Sequence, residues 1–286
     1  MKSAIRLPLK LVLPASIILI LLLGLPSLVV IVKAISPSFV NALISPTVTE
    51  ALRLSLLTTM ISLGLTLLFG TPLAYFLARY QFWGKRLLET LLDLPIVLPP
   101  TVAGVALLLT FGRRGFIGSY LNDLGITIAF TTTAVVLAQL FVAGPLYIRS
   151  MRAAFANISE RLEGAALTLG ATRPQTFWRV TLPLTLPYFL EGVVLAWARA
   201  LGEFGATIVF AGSLQGRTQT MPLAIYAALE QDLDTALVIS AVLTIVAFGV
   251  LFVFRQIVNR DEEWVNITFL IPHPSFLKCK PPGIHP

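Results

Sequence analysis

Long apolar runs alternate with short charged segments along most of this chain. Each run approaches the about 20 residues that a helix needs to cross a hydrocarbon core of about 30 Å. Leu182–Gly212 is one such run, but it contains Glu191, Arg199 and Glu203. The five runs without Asp, Glu, Lys or Arg are Leu11–Val32, Leu54–Ala78, Leu94–Phe111, Leu124–Ile148 and Thr235–Phe254. The pattern therefore predicts an all-α integral membrane protein with six transmembrane helices.

The basic residues are distributed unevenly between the two sides of the predicted spans. If the N-terminus is cytoplasmic, 15 of the 21 Lys and Arg residues lie in cytoplasmic segments, five lie outside, and Arg199 lies within a span. Cytoplasmic loops of membrane proteins carry an excess of positive charge. We therefore expect a multi-pass protein of the cytoplasmic (inner) membrane with both termini cytoplasmic.

The first apolar run has two interpretations. Lys2, Arg6 and Lys10 precede it, as basic residues precede the apolar core of a secretory signal peptide. Its 22 residues exceed the about 7–15 of such a core, and Val32-Lys33-Ala34 is a poor cleavage site. We therefore expect a retained span over about residues 11–32.

Proline occurs twice in the same local pattern near the cytoplasmic start of a span. Leu94–Pro99 and Leu182–Pro187 both read Leu-Pro-x-x-Leu-Pro. Each proline removes a backbone donor and kinks a helix, and such breaks persist at membrane depth only where protein or a cavity satisfies the freed carbonyls. We expect the third and fifth spans to be kinked and to face the interior of the bundle.

The composition supports a membrane protein and removes most kinds of catalysis. Hydrophobic residues make up 56% of the 286 residues, charged residues only 12%, and the mean hydropathy is +0.86. Cys279 is the single cysteine, and both histidines, His273 and His285, fall in the last fourteen positions. A disulfide framework, a metal site and His-dependent catalysis are therefore not expected in the body of the chain. An intramembrane enzyme is the remote alternative, and we expect no catalytic residue.

Charge and motif content also bear on the partners. The net charge of +7 is explained by membrane topology, so no nucleic acid is expected. The phosphate-binding pattern G-x-x-x-x-G-K-[ST] does not occur, and this chain therefore has no P-loop with which to bind ATP.

The segment between the fourth and fifth predicted spans, residues 149–181, is too long for a simple connection. Helix connections usually contain about 2–8 residues. Ser159 can cap a helix, Gly170 can end it in a left-handed conformation, and Pro174 can begin the next helix. We predict a short helix, a sharp turn and a second short helix, Gln175–Val180. An amphipathic helix that rests on the bilayer is the alternative interpretation.

This segment resembles the cytoplasmic signature of the membrane subunits of ABC-type importers. In that signature Glu-Ala-Ala is followed after three residues by Gly, and then after nine residues by Ile-x-Leu-Pro. Here the position of the Glu is taken by Gly164, and Glu163 stands one residue earlier. The residues that the resemblance assigns to coupling with an ATPase are Glu163, Gly164, Ala165, Ala166, Gly170, Val180, Leu182 and Pro183.

The resemblance implies an architecture and a set of partners. Residues 51–254 would form a type I importer core, with spans at about 54–78, 90–111, 125–148, 182–212 and 235–254 and a coupling helix within 149–181. Residues 1–50 would add one span and an outer loop, and residues 255–286 a Pro-rich, poorly ordered cytoplasmic tail. The implied partners are a second copy of the chain, an ATPase dimer that holds ATP and Mg, a periplasmic or lipid-anchored oxyanion-binding protein, and membrane lipid. No cofactor is expected in this chain.

Four further stretches are similar to the molybdate permease branch of this family. They are Leu94–Gly104, Arg199–Thr207, Phe210–Gly212 and Gly216–Tyr226. Sulfate permeases are similar in the same places but typically have Tyr after the Gly-Glu, so Phe204 favours molybdate or tungstate over sulfate or thiosulfate.

The charged residues of the fifth span allow two readings. Arg199 and Glu203 lie one helical turn apart, so they could form a structural ion pair. Alternatively, Arg199 could add positive potential to an anion pathway with hydroxyl and amide donors around Thr101 and Gly104. The candidate pathway residues are Pro99, Pro100, Thr101, Gly104, Arg199, Glu203 and Thr207.

Overall fold

The computed structural model describes residues 9–35 and 39–270, and the regular elements within these ranges are helices. A π-helical turn, Phe177–Thr181, joins α9 to α10. The α-helices are α1 (Leu9–Ala34), α2 (Phe39–Leu43), α3 (Pro46–Arg79), α4 (Lys85–Val97), α5 (Pro100–Phe111), α6 (Gly118–Asp123), α7 (Thr132–Asn157), α8 (Glu160–Thr168), α9 (Arg173–Thr176), α10 (Leu182–Leu201), α11 (Gly205–Phe210), α12 (Met221–Leu229) and α13 (Leu233–Leu270).

Five helical stretches of the described chain are long and apolar enough to cross a membrane. They are residues 16–34, 46–79, 132–157, 173–201 and 233–256. The pair α4 and α5 passes the same test together, but the chain bends by 117° between the two helices. Taken as one broken span, this pair brings the number to the predicted six.

The fourth span lies further along the chain than predicted. We expected Leu124–Ile148, but α7 is Thr132–Asn157. Residues before it cannot continue a helix, because Gly125 and Phe130 both have left-handed backbone conformations. At its other end α7 continues past Arg149 and Arg152, whose long side chains reach the surface. The loop between the fourth and fifth spans is therefore shorter than predicted.

The third and fifth spans are broken rather than merely kinked, but only the third is broken at its predicted prolines, because α10 continues through Pro187. Leu98 and Pro99 separate α4 from α5, because a residue before proline avoids the helical conformation. The predicted fifth span, Leu182–Gly212, ends at Leu201, and α11 begins separately at Gly205. Glu203 favours this break, since its Oε1 accepts a hydrogen bond of 2.8 Å from the Ala206 N–H in the first turn of α11.

The last helix is longer than predicted. We expected the span to end at Phe254, but α13 continues to Leu270. Residues 255–270 contain neither glycine nor proline, and the first proline of the predicted tail is Pro272. Residues 271–286, the proline-rich part of that tail, lie outside the described residues.

Helix α7 is the centre of the bundle, with α3 and α10 packed along it. Near one end, α5 and α11 bury Leu107 and Phe210 against it. Near the other end, Tyr147, Met151 and Phe155 of α7 are fully buried between α3 and α10. A separate apolar cluster joins α3 to α12 and α13, and α1 packs on α13 with most of its surface exposed.

A stripe of small polar residues lines the buried face of α3. Small side chains let transmembrane helices approach closely, and their hydroxyls can bond across the interface. Gln139 of α7 donates a hydrogen bond of 3.3 Å to the Thr59 hydroxyl, and the Met221 N–H of α12 donates one of 2.7 Å to the Ser55 hydroxyl. The buried members of the stripe are Ser55, Thr58, Thr59, Ser62 and Thr66.

We expect Ser55→Ala to destabilise the protein by about 1–3 kcal/mol, because the Met221 N–H at the start of α12 loses its partner in a water-free interior. Ser62→Ala is the matched control. Ser62 is equally buried on the same helix, but its hydroxyl has no hydrogen-bond partner among the described residues. Thermal unfolding in detergent should separate the two variants, and equal losses would contradict the role given to Ser55.

Candidate coupling loop and translocation site

The loop after α7 forms the predicted short helix, turn and second helix. The Ser159 hydroxyl accepts a hydrogen bond of 3.3 Å from the Arg161 N–H and caps α8. Gly170 has a φ of 90°, which suits glycine because it has no Cβ. Thr172 and Gln175 then form a reciprocal capping box at the start of α9. Because the π-helical turn continues directly into α10, the second short helix is the beginning of the fifth span.

Glu163 faces the body of the protein. Its Oε1 accepts a hydrogen bond of 2.7 Å from Arg79 Nη2 at the end of α3 and another of 2.7 Å from the Thr181 hydroxyl before α10. The exposed side-chain fractions are 9% for Arg79 and 16% for Glu163. Arg79 Nη1 also donates to the Ile158 carbonyl at 3.2 Å. Glu163 therefore connects α8 to two transmembrane helices.

The opposite side of α8 is exposed. Leu162 and Ala165 lie at the surface, and Leu169, just after the helix, is 88% exposed. A Cβ added at Gly164 would meet no atom within 4 Å. An exposed apolar surface of this kind is typical of a site for a protein partner.

The other candidate coupling residues are distributed around the loop. Gly170 is exposed at the turn, and Ala166 is half-buried on α8. Val180 and Leu182 are half-buried at the start of the fifth span, and Pro183 is exposed.

A cavity of about 140 Å³ lies where α4 and α5 break. Two of the candidate pathway residues, Arg199 and Pro100, line this cavity, and Arg199 is the single charged residue in its lining. Pro99 and Thr101 are exposed beside Pro100. The lining residues are Pro95, Ile96, Leu98, Pro100, Ala103, Val142, Leu146 and Arg199.

The remaining pathway candidates lie in the tight contact between α5 and α11. A Cβ on Gly104 would come within 2.9 Å of the Ala206 carbonyl oxygen, and one on Gly205 within 2.4 Å of Pro100 Cβ. Thr207 is fully buried in the same region. Gly104 thus permits a close approach of two helix backbones, and neither it nor Thr207 lines the cavity.

Arg199 and Glu203 form the ion pair that their spacing allowed. Arg199 Nη1 lies 2.8 Å from Glu203 Oε2, and the exposed side-chain fractions are 34% for Arg199 and 1% for Glu203. The pair compensates a carboxylate that would otherwise be costly to bury. Helical spacing places Glu191 about 80° from Arg199 and so predicts the same inward face for it, but Glu191 is exposed on α10. Glu191 lies on a different face of α10, because the face that packs against α7 carries Gly192 and Val193.

Several residues that shape the site were not identified from the sequence. Arg79 was counted only as a cytoplasmic charge, and Thr181 only as the end of the loop. The contact of Phe204 with Tyr226 of α12 was also not foreseen; the ring centroids are 5.3 Å apart and the ring planes are tilted by 48°. The sequence did carry one signal for Arg79, since it is a basic residue at the end of a predicted span and the loop helix is acidic. That signal did not specify which acidic residue would pair with Arg79.

The fold defines the class of protein. It matches a chain in a crystal structure of a bacterial ABC transporter involved in the import of the acidic polysaccharide alginate, with a TM-score of 0.68, 18% identity and coverage of 88% of this chain and 95% of that chain. An inward-facing structure of the MetNI methionine ABC transporter matches with a TM-score of 0.59, 19% identity and coverage of 75% and 95%. These likenesses confirm the predicted all-α importer permease fold.

The sequence identifies the family. Residues 70–262 match the model of the binding-protein-dependent transport system inner membrane component, and the chain belongs to this family. The family assignment confirms the predicted membrane subunit of a transporter.

Curated relatives extend the match over most of the chain. The molybdenum transport system permease protein ModB of Mycobacterium tuberculosis (strain ATCC 25618 / H37Rv) is 46% identical over 228 residues, covering 80% of this chain and 86% of the relative. ModB of Escherichia coli (strain K12) is 47% identical over 182 residues, covering 63% and 80%. The sulfate transport system permease protein CysW of Synechococcus elongatus is 44% identical over 214 residues, covering 74% and 75%.

Proposed function

We propose that this chain is the permease subunit of an ATP-driven importer and forms the membrane pathway for a tetrahedral oxyanion, molybdate or tungstate. The 46% identity to ModB over 80% of the chain carries this proposal. The similarity to CysW makes sulfate the second candidate. Sulfate and molybdate have the same charge and shape, so the substrate must be distinguished by experiment.

The ATPase is a separate subunit that binds the exposed face of α8. This chain contains no P-loop, so ATP and Mg are held by that partner. Leu162, Ala165 and Leu169 offer an apolar surface on a helix that is otherwise attached to the bundle only on its inner side. A helix resting on the bilayer would leave this surface in lipid, whereas an ATPase groove would bury it against protein.

The complex contains two copies of this chain. On α5, Val102, Val105 and Leu109 are exposed on the side away from α7, next to the cavity at Arg199. On α4, Leu87, Leu91 and Leu94 are also exposed. A second copy that packs here would place two broken spans face to face and enclose a pathway between them.

The distribution of Lys and Arg supports an orientation with both termini and α8 in the cytoplasm. A binding protein then delivers the oxyanion to the opposite side, where the segments near residues 33–50 and 212–234 lie. Closure of the ATPase dimer on α8 shifts α3 and α10, and the pathway alternates between the two sides of the membrane. The chain performs no chemistry on the substrate.

The substrate assignment is tested in proteoliposomes that contain this chain, its ATPase and its binding protein. We expect binding protein loaded with molybdate or tungstate to stimulate ATP hydrolysis and sulfate-loaded protein to have little effect. Stimulation by sulfate or thiosulfate alone would make this chain a sulfate permease.

Docking of the ATPase on α8 is tested with Ala165→Asp. A charge at this exposed position would be buried without a partner in the complex, so we expect substrate-stimulated ATP hydrolysis to be lost while membrane insertion is unchanged. Ala165→Ser is the matched control, since it adds one small polar group and no charge. Normal stimulation in Ala165→Asp would exclude this surface as the docking site.

The role of Arg199 in the pathway is tested with two variants. Arg199→Gln alone leaves the buried Glu203 carboxylate without its partner, whereas Arg199→Gln combined with Glu203→Gln removes both charges and keeps an oxygen that can accept from Ala206. If Arg199 attracts the oxyanion, both variants transport it at least about tenfold more slowly, since a charged hydrogen bond contributes about 1.5–3 kcal/mol. Normal transport by the double variant would leave Arg199 with the ion pair as its only role.

A further inference from the structure

Three parts of the bundle meet at the inner side of α8. Arg79 ends α3, Ile158 precedes α8, and Thr181 closes the π-helical turn that leads into α10. Arg79 and Glu163 are 84 positions apart in the sequence, yet they form a largely buried ion pair. The side chains of Arg79, Glu163 and Thr181 join all three parts.

A single carboxylate oxygen holds both attachments of α8. Glu163 Oε1 accepts from Arg79 Nη2 and from the Thr181 hydroxyl, each at 2.7 Å. Charge-assisted bonds of this length are about twice as strong as neutral ones, and low exposure limits their screening by salt. Because both donors share one acceptor atom, a displacement of α8 acts on α3 and on the start of α10 through the same carboxylate oxygen.

Three aromatic rings pack together next to the contact between Arg79 and Glu163. Tyr75 lies one turn before Arg79. The centroid of its ring is 5.4 Å from that of Phe155 of α7 and 5.3 Å from that of Phe177 of the π-helical turn. The ring centroids of Phe155 and Phe177 are 6.3 Å apart, so the three rings form one cluster. Displacement of α8 therefore acts on a rigid junction of α3, α7 and the start of α10, since packed aromatic contacts resist deformation.

We infer that Glu163, held by Arg79, is the positioning residue that transmits movement of α8 to α3 and α10. This inference rests on the proposed function, in which the ATPase acts on α8. The carboxylate of Glu163 points into the protein, and the next residue, Gly164, has no side chain. Glu163 therefore serves an internal contact, and the ATPase binds the outer face of α8 without it.

The experiment compares Glu163→Gln with Glu160→Gln in the reconstituted complex. Glu160 lies in the first turn of the same helix and is exposed, with no ion pair among the described residues. For each variant the affinity for the ATPase, the rate of ATP hydrolysis and the amount of oxyanion transported are measured. We expect Glu163→Gln to bind the ATPase within about twofold of wild type but to transport at least about fivefold less per ATP hydrolysed, the lower end of typical coupling between two sites. Glu160→Gln should match wild type in all three measurements.

A second pair of variants keeps Arg79 compensated, so folding does not obscure the result. Thr181→Val removes one of the two attachments of Glu163, whereas Thr185→Val removes only hydrogen bonds to carbonyls of its own helical segment. We expect transport per ATP to fall in Thr181→Val and to stay at the wild-type value in Thr185→Val.

The outcomes separate this inference from the proposed function. If wild type binds no ATPase, the proposed function fails. If wild type couples normally and both Glu163→Gln and Thr181→Val keep its ratio of transport to hydrolysis, the role of Glu163 alone is wrong. An equal loss in Glu160→Gln would also overturn it, because the effect would then come from acidic charge on α8.

Discussion

The absence of water in the bilayer is the constraint on which this structure depends. A helix that breaks inside the membrane exposes backbone groups that only protein or an internal cavity can satisfy. Within the described part of the chain two spans are broken, one at Pro99 and one at Gly202, and the pieces that follow, α5 and α11, pack directly against each other. The contact is close enough that a Cβ on Gly104 or Gly205 would collide with the opposite helix. Each break is thus supported by the other, with α7 behind both.

Helix α10 connects the two regions of interest. It begins next to Thr181, which contacts the loop helix through Glu163, and ends at Leu201, two residues after Arg199 at the cavity. Its 20 residues span about 30 Å. A shift at the loop can therefore reach the broken spans through one regular helix packed along α7. The π-helical turn at the start of α10 is a local widening of the helix of the kind often found at functional sites.

Three ion pairs lie within the described part of the bundle. Glu163 pairs with Arg79, Glu89 with Arg152, and Glu203 with Arg199. Each pair joins two segments or closes a helix break, so the charges serve the geometry of the bundle. Arg199 also lines the cavity at the break between α4 and α5. Its guanidinium has five donors, and the contact with Glu203 does not use them all.

The sequence by itself determined the class of fold, the number of spans and the loop helix with its caps, because apolar length, charge bias and capping residues are local signals. It also placed Arg199 and Glu203 one turn apart. It did not determine where α7 begins, that the third and fifth spans are broken and packed together, or that Glu163 turns inward to Arg79. Those features depend on contacts between residues far apart in the chain, as with the 84 positions between Arg79 and Glu163. Only the tertiary structure brings such residues together, since the pattern of one helix carries no information about which neighbour will cover it.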